Sequence, residues 1–274
     1  MRAPSTAALS SDLALALRLA DEADALTLAR FRASDLRVAT KPDLTPVTDA
    51  DLAVERLVRA ALARQRPGDG VLGEEDGEQE GTSGRRWVLD PVDGTKSYAR
   101  GVPVWATLLA LEVAGPAAWE PVLGVVSAPA LHRRWWATRG GGAWLSDALA
   151  TEPRRLAVSS VAALADASLS YSSLSGWDVM GRLPALLALT RAVWRTRGYG
   201  DFLSHVLVAE GAIDLSAEPE VSRWDLAALT PIVEEAGGAL TDLTGTRGPG
   251  GGSVLASNGL LHDAARAVLS GAAG

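Results

Sequence analysis

Apolar positions in the first third of the chain recur at helical spacing. Leu9, Leu13 and Leu17 repeat every four residues in an Ala- and Leu-rich stretch and predict a long helix over residues 6–33. Residues 37–47 carry Pro42 and Pro46 and read as a loop. A second helix is predicted over 49–65, where Val54, Leu57, Val58, Ala61 and Leu62 form one apolar face and Pro67-Gly68-Asp69-Gly70 ends it. The pattern then shortens. Val71-Leu72 and Trp87-Val88-Leu89 read as short strands, with a polar, Gly-rich surface loop at 76–86 between them. Residues 104–113, 121–128 and 133–138 predict a meander, followed by a turn at Arg139-Gly140-Gly141-Gly142. That glycine run is read as a strand turn and not as a phosphate loop, because no helix start or Lys-Ser/Thr follows it. In the second half, strands near 155–159, 167–171, 193–196, 212–216, 238–241 and 253–257 alternate with helices near 178–190, 201–211, 222–236 and 260–270. That alternation predicts an α/β layer.

The 274 residues are close to two domains at about 150 residues each. A boundary near 150 is expected, giving 1–150 and 151–274, with the halves tightly packed because no linker separates them. Apolar residues at 47% and charged residues at 22% exclude a disordered, collagenous or coiled-coil chain. The lack of cysteine excludes disulfides, a thiolate metal site and a cysteine nucleophile. A net charge of -7 argues against a nucleic-acid partner. No signal-peptide pattern and no uncharged apolar run of about 18 residues are present, so a soluble, cytoplasmic protein with no membrane partner is expected. His132, His205 and His262 show no metal-ligand spacing, and His205, on a predicted helix, is read as a packed or surface histidine. Trp105, Trp135 and Trp136 on predicted strands are read as packing residues, although Trp105 could approach a substrate.

Candidate chemistry concentrates in Trp87-Val88-Leu89-Asp90-Pro91-Val92-Asp93-Gly94-Thr95-Lys96. An apolar strand delivers Asp90 to its carboxyl end, and Pro91 biases Asp90 away from helical geometry. Gly94 permits a sharp turn and close approach of a ligand to the backbone. Two carboxylates on such a turn can bind the same hard cations, and magnesium prefers oxygen ligands of this kind. A helix beginning after Thr95 would set free N–H groups beside the metal, and phosphoester hydrolysis needs both. The same residues also fit an Asp-Pro turn with a capping aspartate. Gly73-Glu74-Glu75 fits either a solvated turn or a metal ligand with a water-activating base. Thr48-Asp49-Ala50-Asp51 fits a capping box, and Ser222-Arg223-Trp224-Asp225 fits a cap or a metal-binding turn.

The stretches PVTDAD (46–51), GEE (73–75), DPVDGTK (90–96), WDLAA (224–228) and EEAGG (234–238) together resemble the inositol-monophosphatase-like family of metal-dependent phosphatases. They occur in the family's order and spacing across almost the whole chain. TKPDLTPVTDAD, RGVPVWATLLAL, SAPALHRRWWA, SYSSLSGW and AEPEVSRWDLAAL are similar to the bacterial histidinol-phosphatase branch of that family. One departure is visible. Ser97-Tyr98 stands where that branch has Asn-Phe, which touches the branch assignment and not the metal chemistry.

The resemblance implies a layered αβαβα sandwich, α+β in the first half and α/β in the second, with the metals between them, and a homodimer. It implies that Glu74, Asp90, Asp93, the carbonyl of Val92 and Asp225 bind two or three magnesium ions. Glu74 and Thr95 would orient and deprotonate a water, Asp51 would hold the Thr95 hydroxyl, and the phosphate would sit on the amides of Gly94 and Thr95. Lys41, in the Pro-flanked loop, is either an exposed lysine or part of a mobile flap, and Lys96 could help balance charge at the metal turn. Glu218 lies seven residues before Asp225, where the family places a substrate-contacting acid. Asp201 is either a second substrate contact or the N-cap of the 201–211 helix. An acidic wall would suit the ammonium and imidazole of L-histidinol phosphate. The implied reaction is hydrolysis of that small-molecule phosphate ester to L-histidinol and phosphate, as in histidine biosynthesis. Inositol 1-phosphate, fructose bisphosphate and a phosphoadenosine nucleotide are alternative substrates. A silent phosphate-binding scaffold is the non-enzyme alternative, and the intact acid set argues against it.

Overall fold

A computed structural model describes residues 6–42 and 44–271. Helix α1 (Thr6–Arg30) is followed by a short hairpin of β1 (Val38–Thr40) and β2 (Pro46–Thr48), then by α2 (Asp49–Gln65). Next come β3 (Gly70–Gly73), β4 (Gly77–Gln79), β5 (Arg85–Asp93) and the short α3 (Thr95–Ala99). The meander β6 (Ala106–Ala114), β7 (Trp119–Ala128), β8 (Arg133–Thr138), β9 (Gly142–Asp147) and β10 (Arg154–Arg155) completes a first sheet. The rest of the chain runs β11 (Ser168–Tyr171), α4 (Leu174–Val179), α5 (Leu183–Ala192), β12 (Arg195–Arg197), α6 (Asp201–Ala209), β13 (Leu215–Glu218), α7 (Arg223–Ala227), α8 (Leu229–Glu235), β14 (Ala239–Thr241), β15 (Val254–Ser257) and α9 (His262–Leu269).

Among the described residues the first sheet has the order β10-β9-β8-β7-β6-β5-β3-β4, antiparallel throughout except for the β3–β5 pair. The second has the order β12-β11-β13-β15-β14, with β12, β11 and β13 parallel. Strand alternation sorts the side chains into layers. Trp87, Leu89, Leu109, Leu111 and Val125 face α1 and α2, whereas Val88, Leu108, Ala110 and Val126 face Phe202, Val206, Ile232 and Val233 of α6 and α8. Across the second sheet, Val254 and Ala256 join that middle layer, and Leu255 packs outward with Trp177, Leu186, Leu189 and Leu269. The result is the αβαβα sandwich. Each fully buried Leu or Val contributes about 1.5–3 kcal/mol to it.

Several expected elements are redrawn. The loop at 37–47 contains the β1/β2 hairpin, and β4 lies within the expected surface loop at 76–86. β9 is an additional strand, and of the expected strand at 155–159 only Arg155 lies in a strand, as the end of β10 paired with β9. The helix expected at 178–190 divides into α4 and α5 around Gly181, whose φ of 67° is left-handed. The helix expected at 222–236 divides after Ala227, because Pro231 has no N–H to give the Ala227 carbonyl. On α1 the deepest stripe is Leu15, Leu19, Ala20 and Ala23, while Leu13 and Leu17 pack at its margin. Among the described residues no helix is long and apolar enough to cross a membrane.

Candidate active site

The DPVD turn owes its geometry to a bulge. β5 pairs with β6 residue for residue from Arg85–Val113 to Asp90–Leu108, and the register then shifts to Asp93–Ala106. Pro91 and Val92 together oppose Thr107, whose hydroxyl donates to the Pro91 carbonyl at 2.8 Å. Proline fits a strand at such a bulge, where no ladder N–H is required of it. In a regular strand, residues three apart face opposite sides; the extra residue brings Asp90 and Asp93 to the same side.

Asp225 joins them from the first turn of α7. One carboxylate oxygen each of Asp90, Asp93 and Asp225 lies within 4.8 Å of the others. A backbone N–H anchors every member: Val92 N on Asp90 Oδ1 at 3.0 Å, Phe202 N on Asp93 Oδ2 at 2.6 Å, and Ser222 N on Asp225 Oδ2 at 2.7 Å. The Ser222–Asp225 capping box therefore forms, and it coexists with a place in the acidic trio. Burial, and then the neighbouring carboxylates, push Asp90 and Asp93 well above the usual carboxylate range, and burial first raises Asp225 to about 7. Three acids held this close and this dry suit a divalent cation. The donors are all oxygens, with no histidine or cysteine among them, which fits a hard ion such as magnesium.

Glu74 reaches the same cleft from the end of β3, with its N–H on the Leu89 carbonyl at 3.2 Å. Its turn is built on Glu55, a fully buried acid of α2. Glu55 accepts the N–H groups of Glu75 and Asp76 at 3.0 Å each and pairs with Arg59. A Cβ at Gly73 would lie 2.0 Å from Glu55 Oε1, so a side chain there would displace that carboxylate. Lys41 Nζ sits 2.7 Å from Glu74 Oε1 and 2.7 Å from Glu75 Oε1. Burial disfavours the ammonium, but the hydrogen bonds it donates to these two acids outweigh that and hold Lys41 protonated well above its ordinary range. Burial pushes Glu75 up to about 7 against the pull of Lys41.

Asp51 sits beneath the turn. It forms the capping box with Thr48, accepting both its N–H and its hydroxyl, and its other oxygen lies 3.3 Å from Thr95 Oγ1. The Thr95 hydroxyl also points at the Val92 carbonyl, at 2.9 Å. Burial raises Asp51 to about 6, the hydrogen bonds from Thr48 opposing the shift. Gly94 caps α3 with φ 84°, and a Cβ at that position would meet Val104 O at 2.9 Å and Asp201 Oδ2 at 3.2 Å. Tyr98, Phe31 and the fully buried Trp105 pack together below, so Trp105 is a packing residue.

The opposite wall comes from α6 and β13. Asp201 is the first residue of α6 and not its cap, a place held by Gly200; its φ of 49° is left-handed. Burial, and then the charge of Glu218, raise Asp201 to about 6, with Lys96 and His205 opposing. Glu218 ends β13, and its Oε1 lies 2.9 Å from His205 Nε2. His205 is thus neither a surface nor a merely packed histidine: it is buried and lines the cleft. Its position four residues after Asp201, on one helix face, was the available signal. The cleft measures about 290 Å³ and is lined by Glu74, Asp90, Val92, Asp93, Gly94, Thr95, Lys96, Asp201, His205, Glu218 and Asp225. Asp51 and Lys41 lie outside the lining and contact it through Thr95 and Glu74.

A five-layer sandwich with a carboxylate-rich cleft between its sheets defines a class of protein, and the wider comparisons agree. The model of the inositol monophosphatase family matches residues 8–272, and the chain belongs to that family. It is 63% identical over 252 residues, 92% of its length and 95% of the relative's, to a Mycobacterium tuberculosis protein named histidinol-phosphatase. A Streptomyces coelicolor protein of the same name is 59% identical, over 92% of this chain and 94% of that one. The solved structure of an inositol monophosphatase from Zymomonas mobilis superposes with a TM-score of 0.82 at 31% identity, covering 97% of this chain and 100% of that one.

Proposed function

We propose that the protein is a magnesium-dependent phosphomonoesterase that hydrolyses L-histidinol phosphate to L-histidinol and phosphate. The observation that carries the reaction class is the meeting of Asp90, Asp93 and Asp225 within 4.8 Å in a cleft shared with Glu74 and Thr95. The substrate follows the relatives named histidinol-phosphatase, at 63%, 59% and 37% identity over most of the chain; three relatives named inositol-1-monophosphatase are 36%, 34% and 32% identical. Inositol 1-phosphate, fructose bisphosphate and phosphoadenosine nucleotides are therefore not favoured, nor is a silent scaffold.

On this reading Glu74, Asp90, Asp93, Asp225 and the Val92 carbonyl hold two or three magnesium ions. Bound magnesium would neutralise the phosphate and make water acidic enough to ionise near neutral pH. The chain's own groups do the rest. The Thr95 hydroxyl, directed at Asp51 Oδ1 and Val92 O, offers its lone pairs to a water and passes a proton toward Asp51. Glu74 orients that water from the other side. The first amides of α3, at Gly94 and Thr95, lack helical partners and suit the phosphate oxygens. Glu218 and Asp201 face the alcohol portion, where two acids favour a cationic group. Lys41 closes on the cleft through Glu74 as part of a flap. A homodimer working in the cytoplasm completes the reading, supported by the family resemblance and by the lack of a membrane-spanning helix among the described residues.

The test compares phosphate release from L-histidinol phosphate and from myo-inositol 1-phosphate with magnesium present. A large kcat/KM preference for the histidinol ester is expected. Equal or reversed preference removes the substrate assignment, and no magnesium-stimulated release from either ester removes the phosphatase assignment.

A further inference from the structure

We infer that His205 is a positioning residue that aims one oxygen of Glu218 into the cleft and so helps set selectivity for a phosphate ester of a cationic alcohol. This rests on the substrate reading above. His205 stands one helical turn after Asp201 on α6, and both line the cleft that Glu218 enters from the end of β13. The bond between Nε2 and Glu218 Oε1, 2.9 Å long, joins two elements of different layers. A glutamate at a strand end has three rotatable bonds and would otherwise sample several directions. Held at Oε1, it has Oε2 left for a ligand.

The pair also fixes the imidazole. A carboxylate can only accept, so the proton of this bond sits on Nε2. The other ring nitrogen, Nδ1, is buried without a hydrogen-bond partner. His205 directs the charge of Glu218 through this one bond. His205 takes its part in the cleft from this tertiary contact.

The test uses full-length protein with magnesium and three variants, comparing kcat/KM on L-histidinol phosphate with that on β-glycerophosphate, which lacks a cation. Glutamine places an amide N–H near the position of Nε2, asparagine is too short to reach Glu218, and leucine removes the donor. His205→Leu and His205→Asn are expected to lower the histidinol-to-glycerol ratio about tenfold, the scale of one hydrogen bond to a charged group. The loss should appear mainly in KM for the histidinol ester. His205→Gln is expected to keep the ratio within about threefold. An unchanged ratio in His205→Asn, or equal loss in His205→Gln, overturns the inference. Should His205→Leu fail to fold, the Asn and Gln variants carry the same comparison.

Nitrogen NMR of the histidine ring reads the pair without any substrate. A proton on Nε2, with a resonance that moves in Glu218→Ala, is expected. A proton on Nδ1, or no response to Glu218→Ala, overturns the inference. A wild-type enzyme with no preference for the histidinol ester instead defeats the substrate reading, and the ring spectrum still decides whether His205 holds Glu218.

Discussion

The backbone N–H of Phe202 donates to Oδ2 of Asp93 at 2.6 Å, tying the first turn of α6 to a carboxylate 109 residues earlier in the chain. Because α6 also carries Asp201 and His205, the helix that lines the substrate end of the cleft takes its position from the acidic turn. Asp93→Asn keeps an acceptor for Phe202 but removes a charge from the trio. Wild-type protein should gain about 2.7 kcal/mol of stability when free magnesium is a hundredfold above its Kd. The variant should fold, lose most of that gain, and lose at least the roughly hundredfold in turnover that a missing metal-site partner costs. Thermal unfolding with and without magnesium, run beside phosphate release, checks both. Near-wild-type activity at saturating magnesium would remove Asp93 from the metal set.

Gly73→Ala tests the support of Glu74. The new methyl would fall 2.0 Å from Glu55 Oε1 and displace the carboxylate from the Glu75 and Asp76 amides. Overpacking of this kind costs about 1–3 kcal/mol. Urea unfolding should show that loss, and calorimetry should show weaker magnesium binding because the Glu74 turn moves. Unchanged stability would mean that Glu55 has another place to go.

Asp201 gives a pH signature. Its folded carboxyl sits at about 6, above the ordinary 3.8, because of burial and the charge of Glu218. Below about pH 4 it is protonated in both folded and unfolded chains. As pH rises toward 6 and beyond, the unfolded chain ionises more readily, so this group's contribution to stability is lost. Asp201→Asn should therefore gain on wild type in metal-free urea unfolding between pH 4.5 and pH 7, and asparagine tolerates the left-handed φ of 49°. Asp201→Ala should lack that tolerance and give back about 1–2 kcal/mol. A wild-type-to-Asn difference that stays flat with pH would exclude the buried, charge-coupled environment.

Glu218→Gln separates charge from shape. Glutamine still offers an oxygen to His205 Nε2, so the wall keeps its form while losing its charge. We expect kcat/KM on L-histidinol phosphate to fall about tenfold more than on myo-inositol 1-phosphate, with magnesium affinity nearly unchanged. Equal loss on both esters would leave Glu218 without a part in selectivity.

The sequence by itself was enough for the family, the layered class and most element positions. The motifs that carry chemistry are local. WVLDPVDGTK is a strand, a turn and a helix start in ten consecutive residues, so its residue types report its geometry directly. The apolar faces of α1 and α2 were legible for the same reason, since helical period is a short-range property. Two of the missed breaks also had local signals, in Gly181 and in Pro231.

Only the tertiary structure decided which acids meet, and with what partners. The one-residue bulge opposite Thr107 turns Asp90 and Asp93 to one side, and a bulge exists only relative to a neighbouring strand. Whether Asp51 and Asp225 merely cap helices could not be read locally; each caps with one oxygen and turns toward the cleft or its turn with the carboxylate's remaining reach. His205 meets Glu218 across thirteen residues and two layers, and Lys41 meets Glu74 across thirty-three. Periodicity tells which face of an element is apolar. It does not tell which other element will stand opposite, because that choice is made by packing the layers as a whole.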